Sequence, residues 1–83
     1  MDKKTAILDF IQDEIMKRRD PNLSSSTDLL STGVLDSLGI LQLVAFIDER
    51  FGIQVPDEDV VYENFHSVDS LVAYLEQNPA HAA

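Results

Sequence analysis

The sequence predicts an all-α fold, a small four-helix bundle with a long first loop and a short third helix. Two long segments, from Lys3 to about Lys17 and from Ser37 to Phe51, repeat apolar residues with the 3.6-residue period of an amphipathic helix. A third such segment opens at Ser67 and stops at Asn78-Pro79. The chain has 83 residues and no cysteine, so its stability must come from helix packing and caps rather than disulfides. That length suits one small domain burying about 60–65% of its unfolded surface. Its folded core is expected over residues 3–77 of the 1–83 chain, with a frayed tail at 78–83.

In the first segment Ile7, Leu8, Ile11 and Ile15 form the apolar stripe, with Phe10 beside them and Asp9, Gln12, Asp13 and Glu14 opposite. Lys17, Arg18 and Arg19 are expected in its last turn, where cations oppose the negative end of the helix dipole, with a docking role as the alternative. Asp20-Pro21-Asn22 breaks the helix. The connection from Asp20 to Asp36 exceeds the ~12 residues usual in compact domains, which gives it a role beyond linkage. Leu23, Leu29, Leu30, Val34 and Leu35 are expected to pin it to the core.

The second long helix begins at Gly33-Val34-Leu35-Asp36-Ser37-Leu38. Gly33 can supply a turn other residues resist, and either Asp36 or Ser37 can cap the helix by accepting a free backbone N–H. A serine at this junction lies in the positive field of the helix N-terminus, where a phosphate is well held. On the helical wheel Ile40, Leu43, Val44, Ile47 and Phe51 make the core arc. Leu38, Leu41 and Ala45 fall on another arc, on the side of Ser37, with Gln42, Asp48 and Glu49 around them. That patch reads either as a docking surface or as a second buried face of a central helix.

Gly52 ends this helix, and Ile53-Gln54-Val55-Pro56 crosses in extended form. Asp57 to Val61 is expected to be the short third helix, opening with acids at its positive end, and Tyr62 to His66 a connection. Ser67 is the expected cap of the last helix, whose buried stripe is Val68, Leu71, Val72 and Leu75.

Fifteen acidic residues against six basic ones give a formal net charge of −9, which disfavours nucleic acid and anionic membranes and favours basic protein surfaces. No apolar run approaches the ~20 residues of a membrane helix, so a soluble, cytoplasmic monomer is expected. His66 and His81 share no ligand spacing, and Asp57-Glu58-Asp59 lacks the spacing and glycine of a calcium loop, so no metal site is expected. A hydrolase built on Ser37 would need His66 beside it and a substrate cavity an 83-residue bundle hardly offers. No catalytic residue is assigned, and the chain is not expected to be an enzyme.

Asp36-Ser37-Leu38 and the helix behind it are similar to the attachment site of acyl carrier proteins and their peptidyl and aminoacyl relatives. The likeness extends from Ile7 to Gln77 and includes Phe51-Gly52-Ile53-Gln54-Val55-Pro56-Asp57-Glu58 and Ser67-Val68-Asp69-Ser70-Leu71. The resemblance implies a covalent 4′-phosphopantetheine on Ser37, derived from coenzyme A, whose thiol holds acyl intermediates as thioesters. By the same resemblance Asp36 and Leu38 form the local recognition motif, while Leu41, Gln42, Ala45, Asp48 and Glu49 form the surface that docks partners. Those partners would be a phosphopantetheinyl transferase and the ligase or synthase enzymes that load and use the carrier. Gly39 and Gln42 stand where fatty-acid carriers usually have acids, and Arg50 adds a positive charge. Asp28-Leu29-Leu30-Ser31-Thr32-Gly33-Val34-Leu35-Asp36-Ser37 looks more like stand-alone carriers of specialised acyl or aminoacyl pathways, D-alanyl carriers among them. An aminoacyl or D-alanyl carrier loaded by an adenylating ligase is therefore the alternative within the class. From another class, an acidic helical interaction module would use Ser37 only as a helix cap.

Overall fold

A computed structural model describes residues 2–77. In chain order it contains α1 (Lys3–Phe10), a π-helical stretch (Ile11–Met16), α2 (Ser37–Phe51), a 3-10 turn (Asp57–Asp59), α3 (Tyr62–Phe65) and α4 (Val68–Gln77). The described residues contain no strand, and none of their helices is long and apolar enough to cross a membrane. The expected tail at 78–83 lies outside the described residues.

Asp2 starts α1 by accepting the Thr5 N–H at 2.8 Å. The expected single α-helix to Lys17 is corrected at its second half, where the backbone widens into the π-helical stretch. Gln12 explains the local geometry. Its side chain is buried and its Oε1 accepts the Asp20 N–H at 2.8 Å, while its carbonyl accepts the N–H groups of both Lys17 and Arg18. Lys17 closes this turn in the left-handed conformation, at φ 58 and ψ 33. The three basic residues therefore lie at and beyond the helix end rather than in its last turn. Arg19 folds back onto α1 and pairs with Asp9 at 3.0 Å and Asp13 at 2.9 Å.

The long first loop is a strap with defined anchors. Leu29 and Leu35 are buried, and the Leu35 N–H donates to the Leu29 carbonyl at 2.9 Å. Leu29 N–H reaches the His66 carbonyl at 2.6 Å, and the Ser25 carbonyl accepts the Asp69 N–H at 2.9 Å. Asp28 adds a polar anchor, accepting from the Leu30 and Ser31 amides and from the Tyr62 hydroxyl. Leu23, Leu30 and Val34 pack half-buried against the core, as their spacing predicted.

In α2, Leu43 and Ile47 are wholly buried, whereas Ile40, Val44 and Phe51 of the expected arc are half-buried. Fully buried side chains of this size are each worth roughly 1.5–3 kcal/mol. Around them close Ile7 and Ile11 from the first helix and Phe65, Val68, Leu71 and Leu75 from the last two. Gly52 ends α2 at φ 69, donating to the Asp48 carbonyl at 2.9 Å.

The short third helix lies later than expected. Pro56 starts only a 3-10 turn at Asp57–Asp59, and the β-branched Val60 and Val61 leave helical geometry, with Val61 extended at φ −129 and ψ 162. Helix α3 then takes up Tyr62–Phe65, the segment expected as a connection. Ser67 caps α4 as expected, its hydroxyl accepting the Ser70 N–H at 3.1 Å. Tyr74 is buried beyond the expected stripe and donates to Asp59 at 2.5 Å; burial first, and this bond second, push its phenol upward.

Candidate functional site

The start of α2 separates the two capping candidates. Asp36 is extended, at φ −119 and ψ −171, and its Oδ1 accepts the Gly39 N–H at 2.8 Å. Its carbonyl accepts the Ile40 N–H at 2.9 Å. Asp36 is thus the cap. Ser37 is the first helical residue, is exposed, and its hydroxyl forms no hydrogen bond among the described residues. The reading of Ser37 as a cap is corrected by this geometry.

The residues around Ser37 hold it in register. Gly33 turns the chain at φ 81, and Leu35 anchors the strap in the core one residue before the cap. Gly39 is buried where α2 meets both the strap and the π-helical stretch. A Cβ there would come within 3.2 Å of Leu35 Cδ2, 3.4 Å of Asp36 Oδ1 and 3.5 Å of Ile15 Cγ2. Close approach therefore offsets the ~1 kcal/mol of helix propensity that glycine forfeits. A hydroxyl carried this way projects from the positive end of a 15-residue helix, a suitable seat for an anionic phosphodiester.

Beside Ser37 the surface of α2 is apolar and open. Leu38 is 64% exposed and Leu41 67%, and Ala45 is exposed on the same face. These values exclude the alternative in which α2 buries both arcs. Gln42, Asp48 and Glu49 are exposed as well. Exposed Val61 and Tyr62 were not singled out as surface residues from sequence, where Val61 was expected to close the short third helix and Tyr62 to open a connection. The Tyr62 hydroxyl donates to Asp28 at 2.5 Å and its ring stacks on His66 at 5.0 Å. His66 Nε2 lies 2.7 Å from the Ser70 hydroxyl, so its ring is engaged by Ser70 and Tyr62. Among the described residues no group of three His, Cys, Asp or Glu side chains could hold a metal; His81 lies outside them.

A second feature was missed in sequence. An open groove of about 670 Å³ runs beside the start of α2, walled by the π-helical end from Glu14 to Arg18, by Thr32 to Val34, and by Asp36, Leu38, Gly39 and Gln42. Lys17 and Arg18 line it, although their positions suggested a helix-end signal first and a docking role second. The signal that locates them is the left-handed backbone at Lys17, which sequence does not announce.

The start of α2 thus presents an exposed serine whose hydroxyl is unbonded among the described residues, beside a capped helix end on a small helical bundle. The family model described as a phosphopantetheine attachment site matches residues 6–75. This chain belongs to that family of phosphopantetheine-binding carrier proteins: it is a carrier, not an enzyme, and its cofactor is 4′-phosphopantetheine. A D-alanyl carrier protein of Streptococcus suis (strain 98HAH33) is 34% identical over 73 residues, which are 88% of this chain and 90% of that protein. Another, from Streptococcus sanguinis (strain SK36), is 29% identical over 72 residues, 87% of this chain and 89% of that protein. Among solved structures, a chain of the one described as "Crystal structure of FAD-dependent dehydrogenase" matches with a TM-score of 0.78 and 33% identity, covering 83% of this chain and 97% of that chain.

Proposed function

We propose that Ser37 carries the phosphopantetheine and that the cargo is an aminoacyl group, D-alanine first among those to test. The observation that supports the attachment residue is the division of labour at the start of α2: Asp36 supplies the cap, and the exposed Ser37 hydroxyl has no hydrogen-bond partner among the described residues. When bound, the group supplies a thiol on which the cargo is held as a thioester. The chain's own residues position and present it. Asp36 and Gly39 fix the first turn, the α2 N-terminus offsets the phosphodiester charge, and Leu38 marks the site for the transferase. Leu41 and Ala45, flanked by Gln42, Asp48 and Glu49, form the face to which partners bind.

For the cargo, support comes from the D-alanyl carrier relatives and from Gly39, Gln42 and Arg50 in place of a more acidic helix face. An adenylating ligase is the loading partner on this reading. The site of action is the cytoplasm, where coenzyme A and the transferase meet the chain. Loading is tested by offering the pantetheinylated protein to adenylating ligases with D-alanine, L-amino acids or fatty acids and weighing the product. D-Alanyl transfer supports the reading, and exclusive fatty-acyl transfer overturns it.

A further inference from the structure

We infer that the groove beside the start of α2 is the resting place of the pantetheine arm, with Lys17 holding its phosphodiester. This inference rests on attachment at Ser37. Three observations carry it. Asp36 and Leu38, on either side of Ser37, both line the groove although Ser37 itself does not, so an arm rooted at Ser37 would enter it past these two residues. The volume, about 670 Å³, lies within the ~300–1,000 Å³ typical of small-molecule sites. Its lining is mixed: Lys17 and Arg18 are its cations, Glu14 and Asp36 its carboxylates, and Ile15, Met16 and Val34 offer apolar surface to the amphipathic part of the arm.

Among these cations Lys17 has the clearer vacancy. Arg18 lies 3.7 Å from Asp20, and Arg19 is paired with Asp9 and Asp13, whereas Lys17 has no ion-pair partner among the described residues. In a protein of net charge −9, a lysine without an ion-pair partner among the described residues, on the wall of the groove that Asp36 and Leu38 also line, is complementary to a phosphodiester. The left-handed turn at Lys17 brings this cation to the groove wall instead of continuing the helix.

The test uses the pantetheinylated protein with an isotope-labelled chain and an unlabelled arm. Nuclear Overhauser contacts from the arm's methyl groups to Ile15, Met16 and Val34 are expected; their absence overturns groove occupancy. Because the chain has no cysteine, the arm thiol is its only thiol, and alkylation reads its exposure directly. Lys17→Gly removes the cation while suiting the left-handed backbone, so the fold is not weakened. Alkylation about two- to fivefold faster than wild type is expected, the size of an exposed charge contact, and equal rates overturn the role of Lys17. Intact mass separates the two levels: an arm present without groove contacts overturns only this inference, whereas an arm that never attaches to Ser37 removes the carrier reading as well.

Discussion

At the start of α2, Asp36 accepts the Gly39 N–H, and the neighbouring hydroxyl has no hydrogen-bond partner among the described residues. Asp36→Ala should therefore cost about 1 kcal/mol of stability by loss of the cap. In a domain of this size that lowers the thermal midpoint by roughly 4–8 °C, and Asp36→Asn should restore most of it. A calorimetric scan in which the alanine variant melts with wild type would contradict the capping assignment. Gly39 gives a second residue-scale test. Alanine is ordinarily better in a helix by about 1 kcal/mol, but here its Cβ would press on Leu35, which is 3% exposed and packed in the core. Gly39→Ala should bring no gain in midpoint, and a rise of several degrees would show that Leu35 can give way. Both residues were singled out in the sequence. What it could not decide was which of Asp36 and Ser37 caps, because both side chains suit that role and only the backbone angles separate them.

Helix α2 carries two apolar arcs with opposite fates, and paired substitutions distinguish them. Leu43 is wholly buried and Leu41 is 67% exposed. Leu43→Ala should cost about 2–5 kcal/mol, while Leu41→Asp should stay within ±0.5 kcal/mol of wild type yet slow transfer from a cognate ligase. Chemical denaturation measures the first pair of values, and single-turnover loading measures the last. Unfolding of Leu41→Asp would return that residue to the core. Period alone located both arcs without ranking them, since exposure depends on how few neighbours a small bundle can place around one helix. The same limit explains the short third helix. Acids after Pro56 suggested a helix at Asp57 to Val61, but two β-branched valines broke it, and α3 formed at Tyr62–Phe65 around the buried Phe65. The π-helical stretch likewise depends on Gln12 bonding forward to Asp20, a tertiary contact with no local signature.

Across the whole molecule, the first loop behaves as a structural member because its anchors reach α3 and α4. The Ser31 amide first, and the Tyr62 hydroxyl second, hold the Asp28 carboxyl below its usual range. A carboxyl lowered in the folded state stabilises above its unfolded value near 3.8, and that contribution disappears as pH falls through the lower folded value. Asp28→Asn should accordingly flatten part of the acid limb below about pH 4 in a thermal-stability profile; parallel curves would remove Asp28 from the account. Four-helix architecture, the long loop and a serine at the start of α2 were legible in sequence, since each rests on period, breakers or a local motif. The groove was not, because it is assembled from the π-helical end, the strap and α2, which meet only in three dimensions. We read this fold as presenting Ser37 for modification. This reading is tested most directly by the intact mass of wild type and Ser37→Ala after incubation with coenzyme A and a phosphopantetheinyl transferase, with helical content measured on both. A gain of one phosphopantetheine on wild type alone is expected, with Ser37→Ala equally helical. A gain on the folded Ser37→Ala variant, or none on wild type with several transferases, would contradict it.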